Sequence, residues 1–169
     1  MINKLTLILS VLLLFSFTSC RIGYSFSGAS LSPEMKTVSV QFFPNQAPLF
    51  QPTLSTVFTE ALKNRMTSQT SLELINSSAD LDFQGEITNY NTTPMAIQGN
   101  ETAGLNRLTI AVRVKFTNQK NPKLDFDKSF SQFADYESSQ NLNSVENELI
   151  QQIVDKLTED VFNAALTNW

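Results

Sequence analysis

Three observations predict an α+β domain, a mostly antiparallel sheet of about four strands with two amphipathic helices packed on one face. The run LNRLTIAVRVKFTN, residues 105–118, alternates apolar and polar side chains without a break, the period of a strand with one buried and one wet face. Two segments, 53–68 and 144–167, repeat apolar residues every three or four positions, the period of a helix with one buried stripe. The order is strand, helix, several strands, helix, which gathers one core between a sheet and a helical layer.

In chain order, TVSVQFF (37–43) predicts a strand with Val38, Val40 and Phe42 on one face and Thr37, Ser39 and Gln41 on the other. A loop with prolines at 44, 48 and 52 follows, and Pro52 suits the first turn of a helix. That helix, 53–68, carries Leu54, Val57, Phe58, Ala61, Leu62 and Met66 on its apolar stripe. SLELI (71–75) is a short strand and NSSAD a turn. In LDFQGEITNYN (81–91), Leu81, Phe83 and Ile87 alternate with Asp82, Gln84 and Glu86. In 105–118, Leu108, Ile110, Val112, Val114 and Phe116 alternate with Arg107, Thr109, Arg113, Lys115 and Thr117. In 123–136, Leu124, Phe126 and Phe130 share a face, while Phe133 falls on the other, which suggests a bulge or the end of pairing. Asn118 to Pro122 is a tight connection and predicts an antiparallel hairpin. The connection 92–104 is long for a hairpin, and long loops carry function or move. In the closing helix Ser144 can cap, and Glu146 and Glu148 complement the dipole. Val145, Leu149, Ile153, Leu157, Val161 and Ala165 form its stripe.

The first 19 residues read as a lipoprotein signal peptide. Lys4 supplies a positive start, and Leu5 to Phe17 is an apolar run too short to span a bilayer. It ends at Phe17-Thr18-Ser19-Cys20, which resembles a bacterial lipobox with Phe in the place where Leu is commoner. Cys20 is the chain's one cysteine. It cannot form an internal disulfide, and a free thiol in an oxidising compartment is a liability. Acylation removes both objections, and two or more chains anchor stably where one does not. The sequence therefore divides into signal peptide 1–19, lipidated tether 20–36 and one domain 37–169.

Composition narrows the function. Lys4 is the leader's one charged side chain, so of the 12 basic residues 11 remain against 16 acidic, a mature charge of −5. That argues against a nucleic-acid partner. With no histidine, imidazole catalysis and histidine-ligated zinc are excluded. No cofactor or metal is implied, and an enzyme is a distant reading. The pairs Asp80/Asp82 and Asp125/Asp127 lie on wet strand faces, where carboxylates belong without forming a site. Arg107, Arg113 and Lys115 share the wet face of one strand. They form a cationic strip for anionic lipid headgroups, or pair with acids on a neighbouring strand. Phe133 is a candidate exposed contact.

Three stretches, GYSFSGAS, VQFFPNQAPL and AIQGNETAGLNRLT, together with the closing VFNAALTNW, resemble the LptE family of lipopolysaccharide-assembly lipoproteins in its Bacteroidetes form. The resemblance runs over essentially the whole mature chain and contains no catalytic motif. It implies an outer-membrane lipoprotein, not an enzyme, that plugs and supports the LptD barrel and binds lipopolysaccharide. The family's basic lipid-contacting residues do not align here, so Arg107, Arg113 and Lys115 rest on the strand's alternation alone. The loop 92–104, with Met95, Ile97 and Asn100, is the candidate for insertion into the barrel. Arg21-Ile22-Gly23 after the cysteine lacks the acidic surface-export signal of some Bacteroidetes lipoproteins, which implies a periplasmic orientation. The alternative is a periplasm-facing lipoprotein scaffold of another envelope transport or secretion complex.

Overall fold

The protein is seen in a computed structural model, which describes residues 34–95 and 104–167. Cys20, Ile97, Asn100 and the signal-peptide boundary lie outside those residues.

Strand β1 (Thr37–Val40) leads into helix α1 (Leu54–Gln69), then β2 (Glu73–Leu74), β3 (Leu81–Met95), β4 (Leu105–Asn118), a 3-10 turn (Pro122–Leu124), β5 (Phe126–Glu137) and helix α2 (Leu142–Leu166). The sheet has five strands in the order β2-β1-β3-β4-β5. β3, β4 and β5 are antiparallel, whereas β1 runs parallel to both β2 and β3. The sheet is thus mixed, where sequence predicts a mostly antiparallel one of about four strands. Parallel neighbours need a crossover, and α1 supplies it between β1 and β2. Residues 75–80 then pass the start of β1 and deliver β3 to its other side.

That passage is tied at one point. Asp80 Oδ2 accepts from the N–H of Lys36 at 2.9 Å, the N–H of Thr37 at 3.1 Å and the Thr37 hydroxyl at 3.0 Å. Asp80 N–H returns a bond to Thr37 Oγ1 at 2.9 Å. Lys120 Nζ reaches the other carboxylate oxygen at 3.3 Å. These bonds, the Lys36 amide foremost, hold the Asp80 pKa down to about 2.

β1 is shorter than the sequence suggests. Val38 and Val40 are buried as expected, but Phe42 is 60% exposed and Phe43 is fully buried in its place. After Val40 the chain leaves strand geometry and follows β3 loosely. Gln41 N–H bonds to the Phe83 carbonyl at 2.8 Å, and Gln46 N–H to the Ile87 carbonyl at 2.9 Å. The Phe43 ring packs edge-on to Phe58 of α1, centroids 5.0 Å apart. Its N–H is satisfied by the buried Thr59 hydroxyl at 3.1 Å. Room for that ring comes from Gly85. A Cβ there would stand 2.0 Å from the Arg113 carbonyl oxygen and 2.6 Å from Phe43 Cε1.

In β3 a bulge between Ile87 and Asn89 shifts the alternation, so Tyr90, not an odd-numbered residue, turns inward. β5 has no such break. Its register with β4 is regular from Phe126 to Glu137, and Phe133 lies on the outer face because its parity puts it there, not because pairing ends. Leu124 belongs to the 3-10 turn instead of the strand.

Both helices pack on the inner face. Leu54, Phe58, Leu62 and Met66 of α1 are fully buried, and Gln51 caps the helix, its Oε1 accepting the N–H of Thr53 at 2.7 Å and of Leu54 at 3.0 Å. Pro52 thus precedes the helix. On α2, Leu149, Ile153, Leu157, Val161 and Ala165 are buried as the stripe predicts. The helix starts earlier than expected: Asn141, not Ser144, caps it, its side-chain oxygen accepting from Asn143 N–H at 3.0 Å. Glu146 consequently lies past the first turn, where it accepts the hydroxyl of the buried Tyr90. Burial first, and the carboxylate second, push that phenol's pKa upward.

Candidate functional site: the open face of the sheet

Alternation fills the inner face of β4 with Leu108, Ile110, Val112, Val114 and Phe116, all buried. The same parity leaves Arg107, Thr109, Ala111, Arg113 and Lys115 on the face without helices. Cross-strand register sets Thr93, Arg107 and Asp135 in one row, and Asn91, Thr109 and Phe133 in the next. The row at the far end is Met95, Leu105 and Glu137. The open face is therefore mostly polar, interrupted by the exposed Phe133 and by an apolar pair, Met95 and Leu105, where the strands meet the 96–103 segment. Each of the two is 36% exposed. Met95 lies at the end of β3, paired with Leu105, so the connection is shorter than the loop 92–104 expected from sequence.

The three predicted cations lie on one strand, and two of them are paired. Arg107 grips Asp135 with two bonds, 2.7 and 2.8 Å, and its guanidinium lies 3.5 Å from the Phe133 ring centroid. Arg113 grips Asp127 in the same forked way, at 2.8 and 2.7 Å. Such forks fit a planar guanidinium to a planar carboxylate. Each arginine holds its partner's pKa below the usual carboxylate value and has its own raised. Lys115 is exposed and has no ion pair among the described residues. Of the two alternatives for the strip, cross-strand pairing is what Arg107 and Arg113 do.

The carboxylate pairs do not converge. Asp82 accepts from Ser39 and from Gln84, while Asp125 accepts the Asn118 N–H at 2.7 Å. Among the described residues no three His, Cys, Asp or Glu side chains could hold a metal ion, and no helix is long and apolar enough to cross a membrane. Sequence reasoning missed the exposed Leu49 and Phe50, 59% and 71% accessible, which carry no periodicity in their proline-spaced loop.

A family model described as LptE, lipopolysaccharide-assembly, matches residues 35–165, all but the extreme ends of the described domain. The chain belongs to the LptE family. That places it among the non-enzymatic outer-membrane lipoproteins of lipopolysaccharide assembly. Solved structures agree in fold. A minor lipoprotein of Acinetobacter baumannii is 15% identical with a TM-score of 0.52, over 78% of this chain and 94% of that one. A hypothetical protein of Chlamydia trachomatis is 13% identical with a TM-score of 0.55, over 79% of this chain and 99% of that one. No curated protein matches. In this LptE chain the family match covers the sheet and both helices, and leaves Cys20 and the leader outside it.

Proposed function

We propose that this LptE-family chain, of the Bacteroidetes type, is a lipid-anchored partner of an LptD-type barrel, which it plugs and holds in shape from the periplasmic side. The family match carries the reading, and the open face supports it. A polar sheet face with its arginines neutralised by forked carboxylates can lie against a hydrated lumen wall without stranding charge.

The two ends of the sheet divide the work. The tether joins where Met35 and Lys36 meet Asn118 and Asp80. The thirteen residues between Cys20 and Glu34 span at most about 45 Å, and confinement at the membrane raises the effective concentration of the barrel. Met95 and Leu105, on either side of the 96–103 connection, lie at the opposite end of the sheet. We assign insertion into the barrel to that connection, with Met95, Ile97 and Asn100, and lipopolysaccharide contact to Arg107, Arg113 and Lys115. A phosphate would compete with Asp127 and Asp135 for the arginines, whereas Lys115 is open to one.

Depleting the chain in its own cells tests the reading. Loss of folded LptD-type barrel and of surface lipopolysaccharide is expected. Normal barrel levels and normal surface lipopolysaccharide would contradict it. For the strip, replacing all three cations by Ser should weaken lipopolysaccharide binding by tenfold or more, and unchanged binding removes the strip from the account.

A further inference from the structure

β5 is the outermost strand, with β4 on one side and no described strand on the other. Its twelve residues pair regularly with β4, without proline or bulge. One rung beyond the ladder, Ser138 donates its N–H to the Gly104 carbonyl at 2.9 Å. Hydrogen-bonded rungs alternate in an antiparallel pair, so the even-numbered residues of β5 are the ones bonded to β4. The N–H and C=O groups of Asp127, Ser129, Ser131, Phe133 and Asp135 consequently point off the edge of the sheet. Free edges this long are normally blunted by proline, a bulge or lysine. The one lysine of β5, Lys128, sits at its near end over the Phe126 ring, and Ser129 to Ala134 has no charge, proline or bulge.

Beside the far half of this edge runs a groove of about 370 Å³ between β5 and α2. Tyr136, Val145 and Leu149 line it with apolar surface, and Asp135, Glu137, Gln140, Glu148 and Gln152 are its exposed polar residues. The surroundings are acidic. α2 carries five carboxylates against Lys156, with only Asp155 ion-paired among the described residues, and β5 adds Glu137 to Asp127 and Asp135, which Arg113 and Arg107 neutralise. Exposed Glu137 and Glu148 at this groove favour a cationic occupant over a second copy of the strand.

We propose that the β5 edge receives an extended basic segment of a partner protein as a sixth strand. The backbone groups of Ser129, Ser131 and Phe133 provide the ladder, and lysine or arginine side chains of the segment meet Glu137 and Glu148. The proposal stands on the edge and its charge, independently of the barrel reading.

The probe is a ten-residue peptide alternating lysine and valine, N-methylated along one edge so that it cannot pair with itself. Titrated onto the full mature chain, it should bind and shift the backbone amides of Ser129, Ser131 and Phe133. A glutamate–valine counterpart, and a lysine–valine peptide methylated on both edges, should each bind at least tenfold more weakly, about 1.4 kcal/mol. Ser131→Pro removes one outward N–H and spares the bonds to β4, so it should weaken binding at least tenfold with an unchanged melting temperature. Glu137→Lys with Glu148→Lys should do the same and flatten the salt dependence. Absence of binding overturns the proposal, as does equal binding of the glutamate peptide or of the doubly methylated one. Self-association of the chain that Ser131→Pro abolishes would also overturn it, by assigning the edge to a second copy.

Discussion

Gly85 and Asp80 show how single residues set this fold. Gly85 lies where β3 passes under the Phe43 ring, and any side chain there meets the Arg113 backbone. Backbone cannot swing away as a flexible side chain can, so Gly85→Ala should lower stability by about 2–3 kcal/mol, read as a fall in urea midpoint at constant slope. A midpoint within experimental error of the parent would show that β3 and β4 can part cheaply. Asp80 makes a pH prediction. Its folded pKa, about 2, lies below the ordinary 3.8, so the carboxylate contributes stability that is complete above 3.8 and lost as pH falls through about 2. Asp80→Asn should cost on the order of 1 kcal/mol at pH 7 after solvent screening. The gap should close as pH falls from about 4 to about 2, which chemical denaturation at stepped pH measures. Neither role was legible in sequence. Asp80 reads as a wet strand carboxylate because its donors, Lys36 and Thr37, lie more than forty positions away. Phe42 and Phe43 are chemically equivalent, and only the departure of the chain from strand geometry decides which is buried.

Among the elements, β4 and both helical stripes were readable because burial on one side imposes a period, and the period survives in the sequence. Polarity leaves no such trace. β1 alternates equally well as a parallel or an antiparallel strand, and its direction follows from the crossover through α1. The bulge at Thr88 breaks parity by one residue, so alternation alone does not find Tyr90. Helix boundaries slipped for the same local reason: Asn141 and Ser144 are both good caps, and the choice lies in which one bonds forward. Asn141→Ala should therefore cost about 1 kcal/mol in thermal or chemical denaturation. Ser144→Ala, which loses a bond back to the Asn141 carbonyl at 2.6 Å, should cost less. The reverse order would place the cap at Ser144. The hairpin between β3 and β4 pairs through Met95 and Leu105, so replacing 96–101 by a two-residue turn should leave the melting temperature nearly unchanged while reducing barrel association. Retained association would count against insertion by this connection.

For the molecule as a whole, the site follows from what the core leaves over. One face of the sheet is spent on the helices, and the other keeps a polar surface whose arginines are already matched. Sequence foresaw the residues of that face and offered both fates for its cations, but pairing across β4 and β5 needed the register. The family resemblance was readable without structure, because it rests on spaced segments of the chain and not on contacts. The central claim is a partnership, and co-purification tests it most directly. The full chain, tagged at its carboxyl terminus, would be recovered from outer membranes solubilised in mild detergent, and the bound proteins quantified. An LptD-type barrel in near-equal amount is the predicted result. Recovery of the chain alone, or with a different envelope complex, would contradict the plug and leave only a lipoprotein of the LptE fold.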